Sequence, residues 1–386
     1  MRTLDVMLAL VRYEILGEEL PSAIGEAISP EKLASLYRLS ARHDLAHLVG
    51  DALTRCGLIG GEGDSERRFV NSRDLSRYRY TQMQHEYKRI TEALSEGSVD
   101  FIPLKGAVVR HLYPKPWMRT SCDIDILVKP EALERAAEIL VDKLGYKRDG
   151  EGTTHDYGFL SPSGVRLELH YRLLAEGDLG AELLSDVWSF AVPSDDDEHR
   201  YLLCDEAFYF FHIAHMAAHF QHGGCGIRTV LDLWLLNNKM DFDKEKRHAM
   251  LREGGLFDFA LQMERLSDTW FADGEYDDFL REISDYIRHG GVYGSADNRI
   301  KVGQTKAGGR FKYLLSRIFI SNDTLKKKYP ILVKRPYLIP IYHVARWFKP
   351  LFSKKTKEKS LREVTVTKEA KRDGEKIAEL LLRLGL

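Results

Sequence analysis

The chain has 386 residues, 44% of them hydrophobic, which is enough for two or three domains with cores of their own. Its formal net charge is −1, and no apolar run reaches the roughly 18 residues of a membrane-spanning helix. The N-terminal segment contains acidic residues and no small-residue cleavage site, so we expect a soluble cytoplasmic protein. The four cysteines lack Cys-x-x-Cys spacing, which argues against a disulfide framework and a thiolate zinc site.

Charge is unevenly distributed along the chain. Residues 301–386 contain 22 lysines and arginines against 7 acidic residues, whereas residues 1–300 contain 35 against 51. A basic region of this kind is compatible with binding to the acidic body, to a polyanion or to an anionic membrane surface, and equally with an ordinary solvated face. Charge alone does not choose among these partners.

The apolar pattern divides the chain into four regions. Residues 1–97 have helical spacing and predict a small bundle. Residues 98–192 alternate short β-rich runs with helical ones and predict an α/β unit. Residues 193–300, which follow with a charged loop at Asp195–Asp197, again predict helices, and residues 301–386 form the basic region. The predicted fold class is therefore α+β, with a small mixed sheet flanked by helical regions.

Each element of the α/β unit has its own signal. FIPL predicts a strand, and the helix after it begins at Ala107. CDIDILV predicts a second strand, and the following helix begins at Pro130 and ends at Gly145. Two further strands flank the turn-forming cluster Ser161–Gly164. Acidic residues occur in the second and in the last of these strands.

Asp123 and Asp125 are separated by one apolar residue in a predicted strand. Residues i and i+2 of a strand share a face about 7 Å apart, so both carboxylates point the same way. If VRLELHY pairs beside this strand, Glu168 becomes a third acid next to them, and three carboxylates suit one or two divalent cations. An Asp-x-Asp pair alone also fits an exposed strand end, and Glu168 also fits a surface ion pair with Arg166.

Lys105 and Gly106 lie where a strand ends and a helix begins. Free N–H groups at a helix N-terminus favour an anion, and a glycine lets the backbone approach a phosphate. Arg119 and Ser121, just before the aspartates, are further candidates for nucleotide binding, although Arg119 equally fits an ordinary arginine at a strand entrance.

In chain order, these features are a strand, a Lys-Gly turn, a helix, an Arg-x-x-x-Asp-Ile-Asp strand, a helix and a Glu-bearing strand. Over residues 99–175 the chain resembles the nucleotidyltransferase fold of the DNA polymerase β superfamily. More narrowly, LKG, DIDILV and ELHYR make it similar to an uncharacterised bacterial nucleotidyltransferase family, and looser similarity extends over most of the chain. The resemblance implies a polymerase β-like core that transfers a nucleoside monophosphate from an NTP to an acceptor with Mg²⁺ or Mn²⁺ as cofactor. It implies Asp123, Asp125 and Glu168 as metal ligands and catalytic residues.

Two positions depart from the superfamily pattern. Lys105-Gly106 stands where Gly-Ser is usual, so phosphate binding is expected to differ in detail. Glu168 replaces the more usual aspartate, which leaves open whether it acts as a base or as a ligand.

Four histidines follow one another at i, i+3, i+7 and i+10 in the next helical region. They are His212, His215, His219 and His222. At 100° per residue they form one stripe of a single helix, which fits a metal site, contact with a substrate or a polar seam between helices. The resemblance places this stripe, with His170, Arg228 and Asp232, near the nucleotide or the acceptor, although Arg228 and Asp232 also fit a plain i,i+4 pair.

These observations lead to an enzyme as the first hypothesis: a metal-dependent nucleotidyltransferase acting on a small molecule or a peptide. An RNA acceptor such as tRNA is the alternative within the same class, and its binding should weaken steeply with salt. A non-catalytic nucleotide-binding or scaffold protein with the same fold is the alternative of another class. The presence of all three carboxylates argues against it.

Overall fold

The computed structural model describes residues 1–150, 152–291, 300, 322, 325–326, 329, 331–352 and 371–386. The chain forms two compact units. The first comprises residues 1–218 and 226–284 with Gly385, and the second comprises residues 219–225, 285–384 and 386. The domain boundaries expected from the sequence remain predictions.

The N-terminal segment is helical, as its apolar spacing predicted. Its helices are α1 (Thr3–Leu16), α2 (Ser22–Glu26), α3 (Pro30–Arg42), α4 (Ala46–Arg55) and α5 (Asp64–Glu96). Local signals set the boundaries: α3 begins with Pro30 in its first turn while Ser29 Oγ accepts a hydrogen bond from the Lys32 amide, and Gly17 with φ +72° ends α1.

The helical segment contains a buried acid, Glu14, whose ionisation should set a pH dependence. Glu14 is 4% exposed, and burial together with Asp51 raises its pKa from about 4.5 to about 7, although Arg55 lies 3.0 Å away. Because the folded pKa is above the unfolded one, the stability that protonated Glu14 contributes is complete below about pH 4.5 and is lost as pH rises through about 7. Glu14→Gln should therefore stabilise the fold relative to wild type at pH 8 by about 1–3 kcal/mol more than at pH 4.5.

Urea unfolding of both proteins at the two pH values checks this expectation. Replacement of the exposed Glu131 by glutamine serves as the control and should give no pH-dependent difference. A constant difference between Glu14→Gln and wild type across this range would show that Glu14 ionises as it does in the unfolded chain.

In the described part of the chain, seven strands form one mixed sheet in the order β3-β4-β5-β2-β1-β7-β6. They are β1 (Phe101–Pro103), β2 (Asp123–Val128), β3 (Lys147–Arg148), β4 (Asp156–Leu160), β5 (Arg166–His170), β6 (Ala191–Ser194) and β7 (Asp197–Leu203). The pairs β2/β5 and β1/β7 are parallel, and the other neighbours are antiparallel. The strands expected on either side of Ser161–Gly164 are β4 and β5, so that prediction is confirmed.

The core of the sheet follows from the alternation of its strands. Ile124, Ile126 and Val128 of β2 pack with Leu167 and Leu169 of β5 in one hydrophobic cluster, which α5 also enters. Because side chains alternate across a strand, the acidic residues of β2 and β5 are left on the opposite face. The alternation of side chains within each strand therefore puts these carboxylates on the face opposite the core.

The charged loop predicted at Asp195–Asp197 is wrong in part. These residues form the turn of an antiparallel hairpin, with Asp197 already in β7 and Ala191 opposite Leu203. The strand residues of DEHRYLL are mostly only half-buried, because β6 and β7 lie at the end of the sheet. Because neither face of this segment is buried, its sequence lacks the alternation of apolar residues that predicts a strand.

Two short helices occupy the segments before and after β2. Helix α6 (Gly106–Val109) has four residues and passes into a 3₁₀ turn at Arg110–Leu112. The helix predicted from Pro130 to Gly145 is present as a 3₁₀ turn, helix α7 (Leu133–Glu138) and a π turn, and Gly145 with φ +71° follows it.

The rest of the chain is helical where it is described. The helices are α8 (Asp205–Gln221), α9 (Ile227–Lys239), α10 (Lys244–Glu253), α11 (Phe257–Phe271), α12 (Asp278–Gly290), α13 (Ile331–Lys334), α14 (Ile339–Phe352) and α15 (Lys371–Arg383). Because α8 ends at Gln221, His222 lies in the following turn, and the prediction that it continues the helical histidine stripe is wrong. Within the described part of the chain, no helix is long and apolar enough to cross a membrane. Much of the basic region lies outside the described residues.

Candidate active site

The candidate site is built on the parallel pair β2/β5. In its register Asp123 lies opposite Arg166, Asp125 opposite Glu168, and Leu127 opposite His170. Glu168 therefore lies directly beside Asp125, where the sequence placed it if the two strands were neighbours. The register follows from the apolar residues of both strands, since a slip by one residue would expose them.

Asp125 is the centre of the polar contacts. It is 3% exposed, and its Oδ1 accepts a hydrogen bond from Lys105 Nζ at 2.8 Å and lies 3.1 Å from His170 Nε2. The same His170 nitrogen lies 3.7 Å from Glu168 Oε2. Within the described residues Asp123 makes no ion pair, and it is only partly buried. One ammonium group and one imidazole therefore accompany three carboxylates.

The three carboxylates differ in the direction in which their pKa values are shifted. Burial alone raises the pKa of Asp125, but Lys105 and His170 outweigh it and hold this pKa far below its ordinary value. Burial and then Asp125 raise the pKa of Asp123, and burial with both aspartates raises the pKa of Glu168 to about 7. Glu168 is thus the acid of the three that can exchange a proton near neutral pH.

Lys105 and His170, the two neighbours of Asp125, have pKa values that are shifted in opposite directions. Burial lowers the pKa of Lys105, but the attraction of Asp125 exceeds it and raises this pKa above its ordinary value. Burial lowers the pKa of His170 in spite of its hydrogen bond to Asp125. Lys105 is therefore charged and His170 is neutral at pH 7.

Glu168 also has the surface partner that the sequence left open. Arg166 Nη2 lies 3.6 Å from Glu168 Oε1, which is too long for a hydrogen bond, and the Arg166 side chain is half-exposed. An exposed pair of this kind contributes little to stability. Glu168 thus lies between a solvated guanidinium and the buried Asp125.

The donor set fits a divalent cation. Asp125 and Glu168 each bring a carboxylate oxygen to this site, and Asp123 is on the same face of β2. Carboxylate oxygens are the ligands that Mg²⁺ and Mn²⁺ prefer.

The Lys105-Gly106 turn has an unusual backbone. Lys105 has φ +43°, a region that residues other than glycine rarely adopt, and this conformation turns its side chain toward Asp125. A side chain at Gly106 would crowd its neighbours: a Cβ there would lie 2.7 Å from Arg119 Nη1 and 3.2 Å from Ser121 Cβ. The glycine thus accommodates two side chains of the chain itself, and phosphate contact at Gly106 stays a prediction.

Arg119 is held by a buried carboxylate. Its Nη2 donates to Asp232 Oδ2 at 3.0 Å, and Tyr113 OH donates to Asp232 Oδ1 at 2.7 Å. Asp232 is 1% exposed. Arg119 and Asp232 therefore form a buried ion pair, which leaves nucleotide binding by Arg119 a prediction.

Arg228 and Asp232 do not form the i,i+4 pair that the sequence also allowed. Arg228 forms an ion pair with Asp44, whose carboxylate accepts a second hydrogen bond from Thr120 Oγ1 at 2.6 Å. Asp232 instead contacts Arg119. One buried and one partly buried ion pair thus join α9 to segments far away in the chain.

The contacts of the α8 histidines include backbone oxygens and an aromatic ring. His212 Nε2 lies 3.2 Å from Thr229 O, and the rings of His215 and Phe211 are 6.1 Å apart. The backbone oxygen of His219 accepts hydrogen bonds from His222 and Gly224. Among the described residues, no group of three or more potential metal ligands includes a histidine of this helix. Their contact with a substrate remains a prediction.

A cavity lined by cationic and aromatic side chains lies between α5 and the segment before β2. Its lining residues are Ser76, Arg79, Tyr80, Met83, Arg110, Trp117, Arg119, Thr120 and Ser121. Ser121 precedes Asp123 by two residues, so one lining residue of the cavity is close in sequence to the carboxylate site. Arg79, Arg110 and the aromatic residues were missed by the sequence reasoning, because they come from helices and turns without a nucleotide-binding motif.

Arg110 is the most unusual residue of this cavity. It is 5% exposed, and it donates to Gly106 O at 2.6 Å and to Ser121 Oγ at 3.0 Å. Throughout the described part of the chain no carboxylate forms an ion pair with it, and burial together with Arg119 lowers its pKa to about 10. A buried cation without a counter-ion is suited to bind an anion.

Residues 29–272 match the family described as uncharacterised nucleotidyltransferases. The match covers most of the chain and includes β1, β2, β5 and every residue of the candidate site, so the class of this protein is that of the nucleotidyltransferases. The chain belongs to this family, and the prediction of an enzyme is confirmed at this level. No curated protein is significantly similar to it.

Proposed function

We propose that this protein is a polymerase β-like nucleotidyltransferase that uses Mg²⁺ or Mn²⁺ and an NTP to transfer a nucleoside monophosphate to an acceptor. The observation that supports this most is the parallel register of β2 and β5, which brings Glu168 beside Asp125 in a chain of this family. In this proposal the sheet is the catalytic core, and helical regions flank it on both sides in sequence.

The proposed reaction assigns a role to each polar residue. Asp123, Asp125 and Glu168 would hold the cation, which when bound neutralises charge on the reacting phosphate and on the acceptor oxygen. Glu168, directly beside Asp125 in the sheet, is also suited to take the proton of the acceptor. Lys105 Nζ, 2.8 Å from Asp125, is placed to offer its charge to a phosphate oxygen at the same site.

The cationic side chains around Ser121 are proposed to bind the triphosphate. Arg110 supplies a buried positive charge there, and Tyr80 and Trp117 offer aromatic surface to a base. In this proposal Arg110 binds the phosphate, a role that the Gly-Ser turn usually has in the superfamily.

Arg110→Gln should weaken the binding of a non-hydrolysable ATP analogue in Mg²⁺ by roughly 10–100-fold, because a charged hydrogen bond to phosphate is lost. Isothermal titration calorimetry measures this loss. Arg110→Lys keeps the charge and should bind more tightly than Arg110→Gln, and Arg135→Gln, at an exposed arginine, should bind like wild type. Unchanged affinity in Arg110→Gln, with unfolding curves showing a folded protein, would place the triphosphate elsewhere.

For the acceptor we propose a small molecule or a peptide. The region that contains the site, residues 1–300, has 35 basic against 51 acidic residues, which disfavours a polyanion on the catalytic body. If RNA is the acceptor, its binding will fall steeply between low and moderate salt, whereas transfer to a small molecule will change little.

The activity can be tested without knowing the acceptor. The full-length protein is incubated with each labelled NTP, Mg²⁺ and a cell extract, and products are searched by mass spectrometry for the added mass of a nucleoside monophosphate. Adduct formation that requires both metal and enzyme supports the proposal. A protein that binds no NTP in the presence of Mg²⁺ would contradict it.

A further inference from the structure

His170 uses one ring nitrogen and leaves the other without a partner. Its Nε2 lies 3.1 Å from Asp125 Oδ1, whereas its Nδ1 is buried and has no hydrogen-bond partner among the described residues. Asp125 is ion-paired with Lys105 and is therefore an ionised acceptor, so His170 directs the N–H of its Nε2 at this carboxylate. The Nδ1 lone pair is consequently available to a ligand in a side chain that is 1% exposed.

Two further potential metal ligands lie beside the imidazole ring of His170. Asp156 of β4 lies directly opposite His170 of β5 in the antiparallel register, and His155 precedes it. One ligand atom from each of the three residues lies within 4.8 Å of the others, and the two imidazole rings are 5.8 Å apart. This cluster, His155–Asp156–His170, is on the β4 side of β5, whereas Asp125 approaches from the β2 side.

The side chains of the cluster are already oriented. His155 Nε2 and Asp156 Oδ2 are 3.0 Å apart, close to the separation of about 3.3 Å between two ligands of a tetrahedral ion at about 2.0 Å. Thr153 Oγ1 donates to Asp156 Oδ2 at 2.8 Å and lies 3.1 Å from His155 Nδ1. The His155 side chain is 28% exposed, which gives an ion access from solvent.

We propose that His155, Asp156 and His170 bind a divalent transition-metal ion of the Zn²⁺ type, through His155 Nε2, an Asp156 carboxylate oxygen and His170 Nδ1. Two imidazoles and one carboxylate select zinc-like ions over Mg²⁺, which prefers an all-oxygen set. The hydrogen bond from His170 to Asp125 is then the outer partner that metal-bound histidines usually have. The ion fixes His170 and, through it, the position of Asp125.

An ordinary His155–Asp156 ion pair explains less of the structure. It would leave His170 Nδ1 buried and unsatisfied, which is unfavourable. A bound ion satisfies that nitrogen. The inference rests on these contacts and does not depend on the transfer reaction.

The test uses the full-length protein stripped of metal with a chelator. Co²⁺ is titrated in and followed by its visible absorption, which is intense in four-coordinate sites with nitrogen ligands, and Zn²⁺ is then added as a competitor. Wild type should show the intense absorption for one equivalent of Co²⁺, and Zn²⁺ should remove it. His155→Ala and Asp156→Asn should each weaken binding by at least about 100-fold, more than the loss of an outer partner. His85→Gln, at an exposed histidine of α5, should bind like wild type.

Asp123→Asn separates this site from the carboxylate site, because Asp123 belongs only to the latter. It should abolish transfer and keep the Co²⁺ site. If His155→Ala binds Co²⁺ as wild type does, or if binding is lost in Asp123→Asn alone, the ion belongs to the carboxylates and the proposal is wrong. Failure to find transfer activity in wild type would leave the Co²⁺ result as an independent answer.

Discussion

Asp123→Asn is expected to reduce nucleotidyl transfer by at least about 100-fold, the usual loss when one group preorganised around a transition state is removed. The change removes a charge from the carboxylate face but almost no volume. Asp123 is only partly buried and makes no ion pair with any described residue, so the fold should be unaffected. The effect should appear in kcat, with little change in the affinity for the NTP analogue.

The measurement is transfer rate at saturating NTP and Mg²⁺, together with a urea unfolding curve for each protein. Asp142→Asn, at an exposed aspartate of the same α/β unit, is the matched control and should retain wild-type activity. Full activity in Asp123→Asn would remove Asp123 from the catalytic set, and equal loss in the control would point to a general effect of lost charge.

Asp232→Asn is expected to destabilise the fold by about 3–5 kcal/mol, because it leaves the buried guanidinium of Arg119 without its counter-ion. Asp232 is 1% exposed, and its two oxygens accept hydrogen bonds from Arg119 and Tyr113. The burial of this carboxylate raises its pKa, but Arg119 and Arg228 outweigh burial and hold the pKa below its ordinary value. The charge is therefore retained at neutral pH.

Urea unfolding at pH 7 measures the loss, and Asp258→Asn, at an exposed aspartate of α11, should change stability by less than about 0.5 kcal/mol. If Asp232→Asn fails to fold, the double variant with Arg119→Met gives a second test, since removal of both charges should restore part of the stability. A single variant as stable as wild type would show that the pair contributes nothing.

The residues of the site were found from the sequence to different degrees. Asp123 and Asp125 were predicted to share a face, and Glu168 was placed beside them on condition that their strands were neighbours; β2 and β5 meet that condition. Arg110 and the pair His155–Asp156 were not found. They acquire meaning only from neighbours that the chain brings to them from elsewhere.

What the sequence by itself determined is local: the strands of the α/β unit, the face of each strand that is buried, and the acidic residues left on the other face. These follow from the alternation of side chains, which a few consecutive residues define. The family of nucleotidyltransferases also follows from sequence alone.

What only the tertiary structure decided is which charges neutralise one another. Arg119 and Asp232 are 113 residues apart, and Arg228 and Asp44 are 184 apart. The local i,i+4 pair of Arg228 and Asp232 does not form. Burial strengthens electrostatic interactions and makes an unpaired charge costly, so partners are chosen by packing and not by sequence distance. Packing also gives the two ring nitrogens of His170 different surroundings. Its strand, β5, has β2 on one side and β4 on the other.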